Sequence, residues 1–397
     1  MAAPAIDEAT RESNAAALRA MAARDFAGAR DILRRALLGA DGVTTLWLNL
    51  AACCRALSDI PGALAAVQGA LKADPWSFTA LLMKGSLLER QGETREAARI
   101  YGLAIAMEPP QGSMDAPTAQ AFEHAHQVNA RYVEELVAFV DAEIGPARER
   151  GSSAESRRID KFMDLTLRRR NIYRQEPTDF FYPGLPTIEF YEREEFPWIE
   201  ALESATATIR TELRQILHED FRKFVPYMSL ADGVPVRQWA ELNRSTRWGA
   251  LHLYLAGAPV EDNCRRCPLT TAALSVLPQP VLPGRSPMAL FSALHPRTRI
   301  PPHCGIANLR LMVHLPLLVP EGCGFRVGNE TRAWREGEAW VFDDTIEHEA
   351  WNDGDEARVI LICDVWNPRL GLAEREMIAG LVHAMDKFNG LTPCADA

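Results

Sequence analysis

The chain has 397 residues, 47% hydrophobic and 24% charged, and no uninterrupted apolar run approaches the roughly 20 residues that a membrane-spanning helix needs. Its length predicts two or three domains of about 150 residues each. A net charge of −10 disfavours a general nucleic-acid binder, because phosphate contacts need clustered Lys and Arg. We therefore expect a multidomain globular protein with no membrane span and no nucleic-acid partner.

The N-terminal sequence MAAPAIDEATRESN lacks the basic start and the apolar core of a secretory signal, so a cytoplasmic location is expected. The eight cysteines are scattered, without the regular spacing of a secreted disulfide framework, which predicts mostly reduced thiols. Cys264 and Cys267 form a lone CxxC motif, for which a packed or reversibly bridged loop is a simpler interpretation than a zinc site. The oligomeric state cannot be predicted.

The first third of the chain repeats with a period of 34 residues: Pro109, Pro75 and Asp41 each close an Ala-rich unit of two predicted helices. Small residues let paired helices approach closely, and proline stops the second helix. The pattern resembles a tetratricopeptide array over residues 10–110. The positions that carry the resemblance are Trp47, Leu50, Ala51, Ala63, Ala70, Gly85, Ala97, Tyr101 and Ala104. Such an array implies a concave face for a peptide or protein partner, although it could also cap or dimerise the rest of the chain.

The remaining chain divides into a connecting region and a strand-rich domain. Residues 117–145 predict one long helix, and the basic stretch 148–174 predicts a solvated linker helix. A helix ending near Leu217 and one over 372–388 flank the predicted strands, which are 288–295, 308–318, 323–327, 331–335, 338–343, 347–351 and 357–366. The expected domains are 1–112 (tetratricopeptide-like α-solenoid), 113–178 (connecting helices, partly basic) and 179–397 (a double-stranded β-helix, or jelly roll, with flanking helices).

Strand alternation predicts a polar pocket inside this domain. In NLRLMVHL, Arg310 and His314 share the face opposite the leucines, and Arg358 begins another strand. Ser292 faces the same way as Leu294. Two or three such donors in an apolar interior suit a small dicarboxylate, because an arginine binds a carboxylate through two hydrogen bonds.

Two histidines suggest a metal. His303 precedes the Arg310 strand, and His348 begins a strand 45 residues later. Imidazole suits Fe, Zn or Cu, but two histidines alone do not distinguish ligands from core or surface residues. Non-haem iron oxygenases usually add a carboxylate two residues after the first histidine, and here that residue is Gly305. Asp343 and Asp344 could supply a carboxylate, but support for the loop before His348 is the expected role.

Together, the segments HPRTRIPPHCG, NLRLMVHLPLLVPEGCGFRVGNE, FDDTIEHEAWND and VILICDVWNP resemble the catalytic domain of the aspartyl/asparaginyl β-hydroxylase family over about residues 180–370. The resemblance implies dioxygenase chemistry with Fe(II), 2-oxoglutarate as co-substrate and O2, and members characteristically have glycine at the position of Gly305. It implies His303 and His348 as catalytic iron ligands. Ser292 and Arg358 would bind the distal carboxylate of 2-oxoglutarate, and His314 would lie near its C1 carboxylate.

One departure from the family concerns Met312, where some members have arginine. Arg310 could then take over an anion contact of the co-substrate, or the substrate could differ. The predicted function is hydroxylation of an Asp/Asn-type residue in a peptide or protein recruited by the helical repeats. The alternatives are the same chemistry on a free amino acid, a lipid or another small molecule, or a non-catalytic binding scaffold.

Overall fold

The computed structural model of the chain describes residues 7–107, 114–220, 224–233 and 235–390. It has two compact units, divided between Met163 and Asp164. In these residues, no helix combines the length and the apolar character needed to cross a membrane. Pro109, the predicted end of the third repeat, lies outside them. The predicted domain limits 1–112, 113–178 and 179–397 stay a prediction.

The N-terminal unit is helical, as the repeats predict. Its helices are α1 (Glu8–Ala22), α2 (Phe26–Ala36), α3 (Thr44–Ala56), α4 (Ile60–Ala73), α5 (Phe78–Arg90), α6 (Thr94–Ile105), α7 (Ala116–Arg148) and α8 (Ser153–Thr166), the last of which crosses the boundary between the units. The pairs α1/α2, α3/α4 and α5/α6 pack as helical hairpins, and α7 packs against α6. The predicted tetratricopeptide-like helix pairs and the long helix over 117–145 are confirmed.

The turns inside the three hairpins repeat with the same period. The residues with a positive φ are Arg24 (62°), Ser58 (60°) and Gly92 (83°), 34 positions apart. In the first two turns the next residue, Asp25 or Asp59, caps the following helix by accepting a hydrogen bond from a backbone N–H three residues on. The linker helix is shorter than predicted, because α8 ends at Thr166 and Arg168 takes the left-handed conformation.

The second unit contains short helices and antiparallel strands. Its helices are α9 (Ile199–Ser204), α10 (Thr206–Asp220), α11 (Glu261–Arg266), α12 (Pro268–Ser275) and α13 (Leu372–Phe388). Its strands are β1 (Val225–Pro226), β2 (Trp248–Leu255), β3 (Ala258–Pro259), β4 (Ala289–Leu294), β5 (Thr298–His303), β6 (Arg310–Leu318), β7 (Cys323–Val327), β8 (Glu330–Ala333), β9 (Trp340–Phe342), β10 (His348–Asn352) and β11 (Arg358–Trp366). The predicted helix ending near Leu217 is therefore the pair α9 and α10. The strands β1, β2, β3 and β5 were not predicted.

These strands form two antiparallel sheets. The larger has the order β1-β2-β4-β11-β6-β9, with β3 beside β2, and the smaller has the order β5-β10-β7-β8. Leu311, Val313 and Leu315 of β6 share a hydrophobic core with residues of α9, α10 and α12, and β6 packs against α10. Residues of both sheets, such as Met312 and Phe325, share a second core. One face of the larger sheet is thus covered by helices, and the other encloses the candidate site.

Candidate active site

A cavity of about 460 Å³ opens between the two sheets. It is lined by every site residue predicted from the sequence: Ser292, His303, Arg310, His314, His348 and Arg358. The strands explain this convergence, because alternate residues of β6 and β11 face inward. The volume falls in the range of pockets that hold small organic ligands. The predicted roles of these residues stay predictions.

His303 and His348 lie directly opposite each other in the smaller sheet. His303 ends β5, His348 begins β10, and the two are partners in the antiparallel register. Their ring centroids are 4.0 Å apart. The sequence placed His303 just before the Arg310 strand, whereas it ends a strand of its own. Two imidazoles from neighbouring strands therefore meet at one point of the cavity wall.

Both rings are held through Nδ1. His303 Nδ1 lies 2.8 Å from the carbonyl oxygen of Pro301, and His348 Nδ1 lies 3.0 Å from that of Ile346. Because a carbonyl only accepts hydrogen bonds, each Nδ1 donates, and Nε2 of the neutral ring keeps its lone pair. Burial lowers the pKa of His303, with a further contribution from His348, to about 3, and burial lowers the pKa of His348 to about 4. Both rings are thus neutral near pH 7, the state that binds a metal.

A carboxylate lies beside the histidines without completing a three-residue ligand set. In the described ranges, no group of three His, Cys, Asp or Glu side chains is arranged to hold a metal ion. A Cβ built on Gly305 would overlap the carboxylate of Asp344, which is buried and has an unpartnered Oδ1. Asp343 accepts hydrogen bonds from the backbone N–H and hydroxyl of Thr345 and from Gln175. The donor set therefore fits a metal that accepts two imidazoles and takes its other ligands from small molecules.

Arg358 is a buried cation that forms no ion pair with a carboxylate in the part of the chain that the structure describes. Its side chain is 1% exposed, and its Nε has no hydrogen-bond partner. Burial lowers its pKa to about 10, so it remains charged near neutral pH. An isolated buried charge is costly unless a counter-charge joins it. Because Arg358 lies on the cavity wall, an anionic ligand in the cavity would stabilise its charge.

Ser292 and His314 add polar atoms to the cavity wall. Trp248 Nε1 donates to Ser292 Oγ at 3.1 Å, which leaves the hydroxyl hydrogen of Ser292 free to be donated to a ligand. His314 packs between Phe325, Trp334 and Phe342, and its Nδ1 has no partner. Burial, and next the charge of Arg358, lower the pKa of His314, so its ring is neutral.

Arg310 differs from Arg358 because carboxylates flank it. Its Nη2 lies 3.6 Å from Asp344 Oδ2, and its Nη1 lies 3.7 Å from Asp364 Oδ2. Nη1 also lies 2.8 Å from the sulfur of Met312. Asp364 in turn accepts hydrogen bonds from the Ser286 hydroxyl and the Met288 N–H. Arg310 is thus engaged by protein groups before any ligand binds.

Two tryptophans that the sequence did not single out belong to the site. Trp248 bonds to Ser292 and stacks on Tyr227 at 3.9 Å, and Trp239 meets the ring of His303 edge-on at 5.0 Å. Trp248 begins β2, whose first four residues are all buried and whose sixth, Leu253, is buried between two half-buried neighbours. A period of two is therefore absent from the first half of this strand, and periodicity gave no clear signal for β2. Trp239 lies in a short 3-10 helix, Arg237–Trp239, which has no periodic pattern either.

Comparison with known proteins places this site in the matched part of the chain. The model of the family described as Aspartyl/Asparaginyl beta-hydroxylase matches residues 203–368. The chain is 36% identical over 155 residues to the aspartyl/asparaginyl beta-hydroxylase of Mus musculus, covering 39% of this chain and 21% of the relative. It is 33% identical over 196 residues to the ornithine lipid ester-linked acyl 2-hydroxylase of Rhizobium tropici, covering 49% of this chain and 66% of that protein.

The matches cover only part of each protein compared. The chain spans about a fifth of the first of these relatives and just under two thirds of the second. Among solved structures, that described as "TPR2B-domain:pHsp70-complex of yeast Sti1" matches 30% of this chain and 98% of its own, at 20% identity and a TM-score of 0.28.

Proposed function

We propose that this chain is a hydroxylase that depends on Fe(II) and 2-oxoglutarate, because residues 203–368 match the model of the aspartyl/asparaginyl β-hydroxylase family. One observation carries the proposal: a single cavity contains two facing neutral imidazoles and a buried guanidinium that has no carboxylate partner among the described residues. The first arrangement suits a metal, and the second suits the far carboxylate of a keto-diacid.

His303 and His348 would hold the metal through Nε2, since Nδ1 of each ring is bound to a backbone carbonyl. Fe(II) held there supplies oxidation of a substrate C–H bond by O2, coupled to conversion of 2-oxoglutarate to succinate and CO2. The protein orients the two rings, keeps them neutral and surrounds them with apolar side chains that limit access of water. Asp344 would accept a hydrogen bond from a small ligand beside the metal, because its Oδ1 has no partner among the residues that the structure describes.

The co-substrate would lie with its distal carboxylate against Arg358 and Ser292 and with its C1 carboxylate near His314. Arg358 provides a planar fork of donors, and Trp248 leaves the Ser292 hydroxyl able to donate. A role for Arg310 in co-substrate binding stays a prediction with weaker support, because Asp344 and Asp364 already flank this side chain.

We assign the two-sheet domain to the double-stranded β-helix, or jelly roll. Support comes from the alternation of consecutive strands between sheets. From β4 to β11 the chain alternates between the larger and the smaller sheet, except that β7 and β8 are neighbours in the smaller one. Two four-stranded sets of antiparallel strands wound in this way are typical of the fold.

For the substrate, the family description favours an Asp/Asn-type residue of a peptide, and the tetratricopeptide-like hairpins would recruit that peptide. A free amino acid, a lipid or another small molecule is the second candidate. The name of the Rhizobium relative and the methionine at residue 312 support this candidate. A scaffold without catalysis is disfavoured, because Ser292, His303, His348 and Arg358 all line the cavity.

The decisive experiment is anaerobic binding of Fe(II) and 2-oxoglutarate to the full chain, followed by exposure to O2. We expect the visible absorption band of the Fe(II)–2-oxoglutarate chelate, and then release of succinate. His303→Ala and His348→Ala should each abolish both signals, whereas His383→Ala, at an exposed residue of α13, should retain them. Unchanged metal binding and succinate release in the His303 and His348 variants would refute the ligand assignment.

A further inference from the structure

Residues 175–182 form an irregular segment, here called the strap, that lies against two loops beside the proposed metal ligands. The first ligand loop, residues 304–309, follows His303 at the end of β5. The second ligand loop, residues 343–347, precedes His348 at the start of β10. Because each loop sets the position of the histidine next to it, a segment that holds both loops also sets how the two imidazoles face each other.

Four backbone N–H groups of the strap donate hydrogen bonds to carbonyl oxygens of the ligand loops. The donors, each 2.8–3.0 Å from its acceptor, are Glu176, Thr178, Asp179 and Phe180. Glu176 donates to Thr345 of the second loop, and the other three donate to Gly305 or Ile306 of the first loop. Pro177 lacks an N–H and favours extended backbone at the residue before it. The strap thus passes from one ligand loop to the other within three residues.

The side-chain amide of Gln175 joins the two ligand loops a second time. Its Nε2 donates to Asp343 Oδ2 at 2.5 Å, and its Oε1 accepts from Asn308 Nδ2 at 3.1 Å. Nε2 also donates to the carbonyl oxygen of Pro186 at 3.3 Å. Both donors and the acceptor of the amide are therefore engaged. A carboxylate at this position could still accept from Asn308, but it could not donate to Asp343.

Hydrogen bonds continue from Gln175 to the ring of His348. Asp343 is fully buried, and its backbone oxygen accepts from the Ile346 N–H at 3.3 Å. The backbone oxygen of Ile346 in turn accepts from His348 Nδ1 at 3.0 Å. The amide of Gln175 is thus connected to this imidazole through two residues of the second loop.

The first ligand loop is held in a similar way. Asn308 is fully buried and exchanges two hydrogen bonds with the backbone of Tyr182, at 2.7 and 2.9 Å. Gly305, two residues after His303, accepts from the strap through its carbonyl oxygen and donates through its N–H to the backbone oxygen of Asp344. The backbone that follows His303 is therefore held by the strap and by the second loop together.

We infer that the strap positions His303 and His348 for metal binding and that Gln175 is its central positioning residue. The inference rests on the proposed function, because it concerns the proposed metal ligands. Two imidazoles bind one ion only when both rings are correctly oriented, and groups that orient metal ligands typically contribute roughly 10–100-fold to metal affinity. The effect is reciprocal: if docking of the strap strengthens metal binding, metal binding strengthens docking of the strap by the same factor.

Gln175→Glu tests the amide with almost no change in size. It removes the donation to Asp343 and places a second carboxylate beside it, which should separate the two ligand loops. The probe is Co(II) alone, titrated into the metal-free full chain and followed by visible absorption, so the readout needs neither co-substrate nor turnover. We expect the Co(II) affinity to fall roughly 10–100-fold. The matched control Gln215→Glu, at an exposed residue of α10, should bind like the wild type.

A double variant tests whether the contact itself matters. In Gln175→Glu/Asp343→Asn the amide and the carboxylate exchange places, so the hydrogen bond between the two positions is restored in the opposite direction. We expect the double variant to recover most of the Co(II) affinity that Gln175→Glu loses, and Asp343→Asn alone to bind Co(II) more weakly than the wild type. A loss of stability by itself would not produce this recovery.

Hydrogen exchange of the wild type tests the reciprocal effect without any substitution. Excess Co(II) should slow the exchange of the strap amides that donate to the ligand loops, by roughly tenfold or more. Mass spectrometry of a peptide that covers residues 175–182 measures this change. Peptides from α4, in the helical unit, should exchange at the same rate with and without Co(II).

Either of two results would overturn the inference and leave the proposed function standing. One is a Gln175→Glu variant, folded by circular dichroism, that binds Co(II) like the wild type. The other is a strap whose exchange Co(II) does not slow. Failure of the wild type to bind Co(II), or wild-type affinity in His303→Ala, would instead refute the metal site of the proposed function. If Gln175→Glu does not fold, the exchange measurement on the wild type decides the question.

Discussion

The carboxylate of Asp344 fills the space into which a side chain at Gly305 would project. A Cβ on Gly305 would overlap this carboxylate, and the Gly305 N–H donates to the backbone oxygen of Asp344 at 2.5 Å. The two residues are 39 positions apart in the sequence and in contact in the fold. Glycine at 305 is therefore required by packing, in addition to leaving the proposed metal without a carboxylate from that position.

Gly305→Ala should destabilise the second unit. The added methyl group forces Asp344 or the backbone to move, and overpacking of this kind costs about 1–3 kcal/mol in the free energy of unfolding. Urea unfolding of the full chain measures the effect. Gly380→Ala is the matched control, because a Cβ at this α13 position meets no atom within 4 Å and alanine favours helix. Equal stability of Gly305→Ala and wild type would refute the packing role.

Arg358→Met should weaken the binding of 2-oxoglutarate without lowering the stability of the ligand-free protein. Because the guanidinium is buried and pairs with no carboxylate in the described residues, its replacement should leave the melting temperature of the ligand-free protein unchanged or raised. The affinity for 2-oxoglutarate should fall about tenfold or more, since hydrogen bonds to charged groups contribute roughly 1.5–3 kcal/mol. Thermal melts with and without 2-oxoglutarate measure both effects. Arg335→Met, at an exposed arginine, is the control, and a 2-oxoglutarate-induced shift that survives in Arg358→Met would contradict the assignment.

His252 should make the second unit sensitive to acid. Burial lowers the pKa of this β2 histidine below its usual value of about 6.5, and its Nδ1 has no hydrogen-bond partner. As the pH falls below about 6.5, the unfolded chain binds a proton that the folded chain resists, so the free energy of unfolding falls. His252→Leu should lose less stability than the wild type between pH 7.5 and pH 5.

The measurement is urea unfolding at both pH values. His383→Leu, which changes an exposed histidine of α13, should keep the acid sensitivity of the wild type. An identical loss of stability in wild type and His252→Leu would show that other groups cause the acid sensitivity.

Gly85 should be required for the third hairpin. A Cβ at this position of α5 would overlap the ring of Tyr101 on α6, and the hydroxyl of Tyr101 is held by Glu89 at 2.6 Å. Gly85→Ala should therefore lower the stability of the helical unit by about 1–3 kcal/mol, despite the better helix propensity of alanine. Circular dichroism at helical wavelengths during urea unfolding detects this loss. Gly39→Ala, where no atom lies within 4 Å, should have little effect, and a similar result for Gly85→Ala would contradict the close packing.

Local patterns predicted much of the fold. The 34-residue period anticipated the three hairpins, since each turn repeats the same backbone conformation at Arg24, Ser58 and Gly92. Alternation along β6 and β11 anticipated that Arg310, His314 and Arg358 face one cavity, because side chains in a strand alternate between its faces. The sequence did not predict the strand β5, because Pro301 and Pro302 interrupt the alternation of apolar and polar residues. Such prolines are tolerated at the edge of a sheet, and among the described strands β5 has β10 as its single neighbour.

The sequence by itself determined the repeat architecture and the inward face of the central strands, because both follow from spacing along the chain. Its resemblance to a known family pointed to Ser292, His303 and His348. Only the tertiary structure decided how those residues are paired. Arg310 lies between Asp344 and Asp364, whereas Arg358 has no carboxylate partner in the described part of the chain. Charge compensation depends on distances of a few ångströms between residues far apart in sequence, and no local pattern encodes those distances.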